Sequence, residues 1–202
     1  ITLAIVGDKV SFKGKNVITS AYEKERFQMT GRIAASGSVT SLTDGKGNDP
    51  NVMIGDQCYY SMFWKCDSLT TAPELPAVKL AKKCYMYMFY NCKNLETAPE
   101  LPATDLAESC YGNMFDSCTS LTTAPELPAT TLKPSCYDSM FENCKSLRNM
   151  PELKAVKMEH SCYRGMFLNC NSLQTAGELP ATELAEYCYA GMFTTCSKLQ
   201  QA

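Results

Sequence analysis

The chain has 202 residues, a formal net charge of −2 and a hydrophobic fraction of 45 %. This balance leaves no basic stripe of the kind that nucleic acid requires, so no nucleic-acid partner is expected. No apolar run approaches the about 20 residues that a membrane-spanning helix needs, so no transmembrane segment is expected either.

Residues 1–57 contain no cysteine and follow no strict period. Residues 1–6 are rich in β-branched side chains, Gly7-Asp8 reads as a turn, and Val10 and Phe12 alternate with Ser11 and Lys13, a hairpin pattern. Residues 27–33 and 38–42 predict two further strands around Gly37. Ser41-Leu42-Thr43 echoes Ser68-Leu69-Thr70. Residues 26–57 therefore read as a degenerate first repeat, and the whole of 1–57 as a β-rich N-terminal cap that hides the end of a repetitive core. The glycine-containing loop at 44–50 holds acidic groups but lacks the ligand spacing of an EF-hand, and reads as a solvated turn.

From residue 58 the chain is periodic. Cys-Tyr-x-x-Met-Phe-x-x-Cys occurs six times, starting at Cys58, Cys84, Cys110, Cys136, Cys162 and Cys188, at an interval that never slips. A constant period in the range of about 20–50 residues marks a stacked repeat architecture. The spacing from Leu42 to Leu69 exceeds this period by one position. In the third copy Leu106, Cys110, Met114 and Cys118 fall four apart, with Phe115 beside them. Spacings of three and four share a helical face, so the motif predicts about three turns of α- or 3₁₀-helix. Ser-Leu-x-x-Ala-Pro follows the second cysteine. Its threonines favour a strand that the proline cuts short. Pro-Glu-Leu-Pro-Ala then turns back. The expected fold class is thus an α/β leucine-rich-repeat solenoid, one short parallel strand and one short helix per repeat, over residues 58–202. Leu69, Leu95, Leu121, Leu147, Leu173 and Leu199 would line its core, together with the six motif phenylalanines. The chain opens on Ile1 rather than Met and stops at Ala202 inside a repeat, which predicts a mature product or a piece of a longer protein.

Met-Phe-x-x-Cys-x-Ser-Leu followed by Ala-Pro-Glu-Leu-Pro-Ala-Thr-x-Leu resembles the 26-residue repeats of BspA-like leucine-rich-repeat surface proteins of bacteria. The resemblance covers residues 58–202 and implies an extracellular, cell-surface location. It further implies a non-catalytic role in adhesion or ligand binding, with a protein or glycan partner. The fourth copy departs most, with Met150 for Ala, Lys154 for Pro and Met158 for Leu, and the fifth has Gly177 for Pro. These changes keep the inward positions apolar.

The cysteines pose the first chemical question. In a helix, Cys-x7-Cys would separate the Cα atoms by about 12 Å, beyond the roughly 7 Å a disulfide spans. Bridges between equivalent cysteines of neighbouring copies stay possible. With His160 as the single histidine, zinc coordination has little support, and the favoured role is a small buried hydrophobe. No nucleophile–base pair and no phosphate-binding glycine loop is visible, so neither enzyme activity nor a cofactor is expected.

Two columns have structural readings that outweigh functional ones. Glu74, Glu100, Glu126, Glu152 and Glu178 could form a cation ladder, but carboxylates accepting turn N–H bonds explain them better. Tyr59 and its equivalents could stack sugars, but packing between copies explains their recurrence. Specificity is expected at the variable positions. Two and six residues after the first cysteine stand Tyr60 with Trp64, then Met86 with Tyr90, next to Tyr87. These five form a candidate aromatic binding patch. Further along, Gly112 with Asp116 and Asp138 with Glu142 make the face acidic. The competing role is a passive spacer that presents another domain. Oligomeric state is not legible.

Overall fold

The computed structural model describes Phe27, residues 29–45, Asp49 and residues 55–200. The strands expected in residues 1–13 lie outside these.

Residues 58–66 and their five counterparts run as a chain of overlapping turns, not as the expected helix. The backbone hydrogen bonds of the third copy show why. The N–H groups of Gly112, Met114, Asp116 and Cys118 each donate three residues back, to the carbonyls of Ser109, Tyr111, Asn113 and Phe115, at 3.0–3.3 Å. The alternate N–H groups point the other way. Ser109, Tyr111, Asn113, Phe115 and Ser117 donate to Pro134, Cys136, Asp138, Met140 and Glu142 of the fourth copy at 2.8–3.0 Å. Half of the amides thus build the turn ribbon and half fasten it to the next ribbon.

Left-handed backbone makes this possible. Ser109, Asn113 and Ser117 have φ of 54°, 52° and 63°, and the same three positions of every copy are left-handed. Such a conformation costs an ordinary L-residue about 1–2 kcal/mol, and it interrupts any α-helix at every fourth residue. Asn, Ser and Gly fill most of these positions. Asn tolerates the region best among side-chain-bearing residues, and the cross-copy hydrogen bonds offset the strain elsewhere.

The consequence is a side-chain period of four. Cys110-Tyr111 face inward, Gly112-Asn113 outward, Met114-Phe115 inward and Asp116-Ser117 outward, before Cys118 returns inside. Every inward residue in this copy is at most 1 % exposed. Because successive copies are hydrogen-bonded in register, equivalent residues stack. Phe63, Phe89, Phe115, Phe141, Phe167 and Phe193 form one column, with ring centroids 5.5–5.9 Å apart and planes within 12° of parallel. Tyr59, Tyr85, Tyr111, Tyr137, Tyr163 and Tyr189 form a second, at 5.6–5.9 Å. Offset stacks of this kind add about 0.5–1.5 kcal/mol per pair beyond the area they bury.

The tyrosine hydroxyls find fewer partners than their rings do. Tyr59 Oη donates to the Val39 carbonyl at 3.1 Å, whereas Tyr85 and Tyr137 Oη are buried without a hydrogen bond among the described residues. Neither hydroxyl reaches solvent or a described backbone group. The second cysteine of each copy is better satisfied. Cys118 Sγ donates to the Phe89 carbonyl at 3.1 Å, and Cys92, Cys144, Cys170 and Cys196 repeat the bond at 3.0–3.1 Å. All twelve cysteines are free thiols.

Strand character is scant. β1 (Ile33–Ala34) and β2 (Leu69–Thr71) form a two-stranded parallel sheet. Later copies keep only single bridges, such as Thr71 to Thr97 and Asn149 to Thr175. The Ala-Pro that follows limits the ladder, as proline has no N–H to give. The leucines at the ladder's entry, Leu69, Leu95, Leu121, Leu147 and Leu173, are fully buried.

The layer above the first copy departs from expectation. Phe27 stacks on Phe63, Ile33 pairs with Leu69 and Ser38 bridges Glu74. All three pairs keep one common separation, and it is wider than the repeat period. Ile33, rather than Leu42, is therefore the counterpart of Leu69. Residues 38–42 are not a strand: α1 (Ser41–Asp44) is one helical turn that ends on Gly45. Gly45 has φ 74° and returns its N–H to the Ser41 carbonyl, a stop that a left-handed glycine makes without strain.

Two outcomes follow from this packing. Phe115→Ala removes a fully buried ring from the middle of its column and should cost about 3–5 kcal/mol in urea unfolding. Asp105→Ala only breaks an exposed pair with Lys79 and should cost less than about 1 kcal/mol. Burial pushes the thiols of Cys110 and Cys118 well up in pKa and that of Cys196 up as well. At neutral pH, alkylation without reductant should therefore reach half-buried Cys196 first and all twelve thiols only in denaturant, as counted by mass spectrometry.

Candidate functional site

The outward pairs of the six copies form one face with four columns of side chains. Position two after the first cysteine holds Tyr60, Met86, Gly112, Asp138, Arg164 and Ala190. Position six holds Trp64, Tyr90, Asp116, Glu142, Leu168 and Thr194. Both positions alternate with the core pairs, placed by the four-residue turn period and not by a helix, and Gly112, Asp116 and Asp138 among them are buried.

The five residues of the predicted patch come together. The Trp64 and Tyr90 rings stack at 5.9 Å with planes 13° apart. Tyr87 meets Tyr60 edge-on at 5.8 Å and Tyr90 edge-on at 5.7 Å. Met86 extends over Gly112, its Cγ 3.6 Å from where a side chain there would begin. All five are half-buried, so each keeps an open surface while its neighbours fix its rotamer. Lys65 Nζ sits 4.0 Å from the centre of the Trp64 ring, a cation–π contact that sequence spacing did not suggest.

Toward the C-terminal end the same face turns polar. Asp116 Oδ1 accepts hydrogen bonds from Ser117 Oγ at 2.8 Å and Asn143 Nδ2 at 3.0 Å. Asn169 Nδ2 continues the ladder to Asn143 Oδ1 at 3.0 Å, and Thr195 Oγ1 donates to Asn169 Oδ1. Asp138 is held by both arms of Arg164, at 3.1 and 2.7 Å, the fork geometry in which arginine binds carboxylate most strongly. Burial pushes the pKa of Asp116 up against these two donors, and that of Glu142 likewise. Tyr87 is also pushed up, first by burial and then by Tyr60, Asp138 and Asp116, so the aromatic and acidic parts share one electrostatic surface.

The other candidates separate clearly. The stacking tyrosines are interior, which removes them as a sugar ladder. Glu74, Glu100, Glu126, Glu152 and Glu178 are exposed and accept no turn N–H among the described residues, so the capping role expected of them is absent. Glu152 pairs instead with Lys154 at 3.6 Å. Charge between copies is balanced by ion pairs one period apart, such as Lys82–Glu108 and Lys157–Glu183. His160 lies exposed, 4.0 Å from Glu186. Among the described residues no three His, Cys, Asp or Glu side chains are placed to share a metal ion, and no helix is long and apolar enough to cross a membrane.

No protein-family model matches the chain, and neither a curated protein nor a solved structure matches it.

The raised pKa of Asp116 has a stability consequence. A carboxyl that holds its proton more tightly folded than unfolded favours the folded state at low pH, and that contribution is lost as pH rises through its folded value. Asp116→Asn keeps an acceptor for Ser117 and Asn143 but removes the buried charge. It should raise the unfolding midpoint at pH 7, and the gain should shrink as pH falls through the carboxyl range, followed by thermal melts across pH.

Proposed function

We propose that this chain is a non-catalytic binding module that holds a protein or glycan partner on its outward face. The observation that carries the reading is the cluster of Tyr60, Trp64, Tyr87 and Tyr90, joined by Met86 at the rim. Four mutually braced rings lose little further freedom on binding, which is the property of aromatic hot spots. Half-buried Glu142 beside them supplies an acceptor for hydroxyl or amide groups of the partner, while Asp116 and Asp138 are buried and held within the face. A flat face of this kind suits an extended ligand better than an enclosed substrate.

In this proposal the repeats form a leucine-rich-repeat solenoid whose helical segment has become a turn ribbon. The motif resemblance to BspA-like proteins supports a location outside the cell, on a bacterial surface, and an adhesive role. A spacer function is the second reading, favoured by the unbroken copy-to-copy hydrogen bonds from the first motif to the sixth.

Trp64→Ala and Tyr90→Ala, screened against immobilised oligosaccharides and extracellular-matrix proteins, separate the two readings. Each substitution should weaken a captured partner by about 2 kcal/mol, or roughly thirtyfold. Thr122→Ala, at an exposed position outside the patch, should leave it unchanged. Trp64 is the only tryptophan, so its fluorescence reports occupancy of the patch directly. Capture that is insensitive to both ring deletions removes the patch from the reading, and no capture at all favours the spacer.

A further inference from the structure

Charge is balanced along this stack by one device. A cation of one copy meets a carboxylate of the copy beside it: Lys79 with Asp105, Lys82 with Glu108, Lys93 with Asp67, Lys157 with Glu183 and Arg164 with Asp138. The sixth position after the first cysteine breaks the device. There Asp116 has Tyr90 before it and Glu142 after it, and Glu142 has Leu168 after it. Like charges directly opposite each other repel. One amide nitrogen, Nδ2 of Asn143, stands 3.0 Å from Asp116 Oδ1 and 3.5 Å from Glu142 Oε1, so the two carboxylates lie side by side. Neither forms an ion pair among the described residues. Asp116 is 7 % exposed, and a charge so buried ordinarily has a counter-charge.

The surface beside this pair suits a cation. Trp64 and Tyr90 turn their faces to each other. Tyr87 lies crosswise, its plane 78° from those of Tyr60 and Tyr90. Its phenol feels Asp116 and Asp138 as well as the neighbouring rings, so aromatic and carboxylate groups converge where the second copy meets the third. Gly112 stands at this boundary. Its φ is not left-handed, and a side chain there would meet Met86 at an ordinary 3.6 Å, so neither backbone nor space demands a glycine. The far end of the patch has the opposite sign. Lys65 Nζ lies 4.0 Å from the centre of the Trp64 ring, which shows that a ring of this patch takes an ammonium. The face is thus polarised, with Lys65 at one end, the rings in the middle, and Asp116 and Glu142 at the other end.

We propose, building on the binding-module reading above, that the partner is a protein segment with one lysine or arginine set against Glu142 and Tyr87 and apolar residues next to it set against Tyr90, Trp64 and Met86. The partner's cation does for Glu142 what Arg164 does for Asp138. Charge complementarity selects this occupant. A neutral glycan would cover the rings and leave both carboxyls without a counter-charge. An acidic glycan would bring like charge to them. A polyamine would bring a second ammonium against Lys65. A segment with a single basic residue beside apolar ones matches all three zones.

The test selects binders to the whole chain from a random decapeptide library and reads the sequences of the selected pool. Lysine or arginine beside aromatic or aliphatic residues should be enriched. Titration calorimetry with the best peptide then reads affinity. Glu142→Gln should weaken it about tenfold, and added salt should weaken it further. Leu168→Arg places a cation of the chain one copy beyond Glu142, as Arg164 stands to Asp138. It should weaken the peptide as strongly and raise the melting temperature. Glu126→Gln removes the same charge at an exposed position outside the patch and should change nothing. A pool without basic residues overturns the proposal. So does a basic peptide that binds Glu142→Gln as tightly as the native chain, or that Glu126→Gln weakens equally. Spermine binding as tightly as the peptide also overturns it and makes a free polyamine the occupant. Oligosaccharide capture that Trp64→Ala abolishes, with no peptide enriched, overturns the proposal and leaves the binding-module reading standing. No capture of peptide, sugar or matrix protein overturns both.

Discussion

The division of backbone amides between two destinations governs this protein. In each copy one amide closes a turn on its own chain and the next reaches across to the following copy. Buried backbone groups need partners, and this alternation provides them without a helix and almost without a sheet. The period of four in the side chains, the left-handed residues and the stacking of like upon like all follow from it.

Stacking identical residues has different outcomes for different chemistry. Rings and leucines gain from meeting their own kind, so the Phe, Tyr and Leu columns run through the molecule. The second thiols from Cys92 to Cys196 fit because each donates to a phenylalanine carbonyl of the copy before it. Hydroxyls fare worse, and Tyr85 and Tyr137 bury theirs without a partner among the described residues, at a cost of about 1–3 kcal/mol each. Like charges gain nothing from stacking: the glutamate column from Glu74 to Glu178 stays exposed, and the other outward columns change identity from copy to copy. Lysine meets aspartate or glutamate across copies, and Asp138 meets Arg164.

Much of this was legible in the sequence because the period is strict. The inward columns could be read from spacing alone, and the aromatic patch from residues four apart. The local backbone could not, since a spacing of four fits a helix and this ribbon equally well. The signal that separates them lies in the x positions: Asn, Ser or Gly recurs one residue before the first cysteine and three and seven residues after it. Those residue types tolerate positive φ, and a helix would have little use for them at that interval. The layer at 27–45 defeats the pattern, because Leu42 matches the Ser-Leu-Thr signature while Ile33, with no such signature around it, is what pairs with Leu69. The loss of the expected glutamate capping has a simpler cause. The Pro-Glu-Leu-Pro turn has few N–H groups to offer, because its prolines have none.

Such a backbone also has a reading frame. One residue inserted between the two cysteines of a copy would exchange the duties of every amide beyond it. Turn donors would aim at the neighbour, neighbour donors would fold back, and the inward pairs would rotate out of step with the columns above and below. Additions are harmless only in the segment that joins one ribbon to the next. The extra length between the layer of Ile33 and the first copy falls there, between Ser38 and Cys58. The chain can therefore vary in length at its punctuation and in composition at its outward letters, while the words themselves must keep their length.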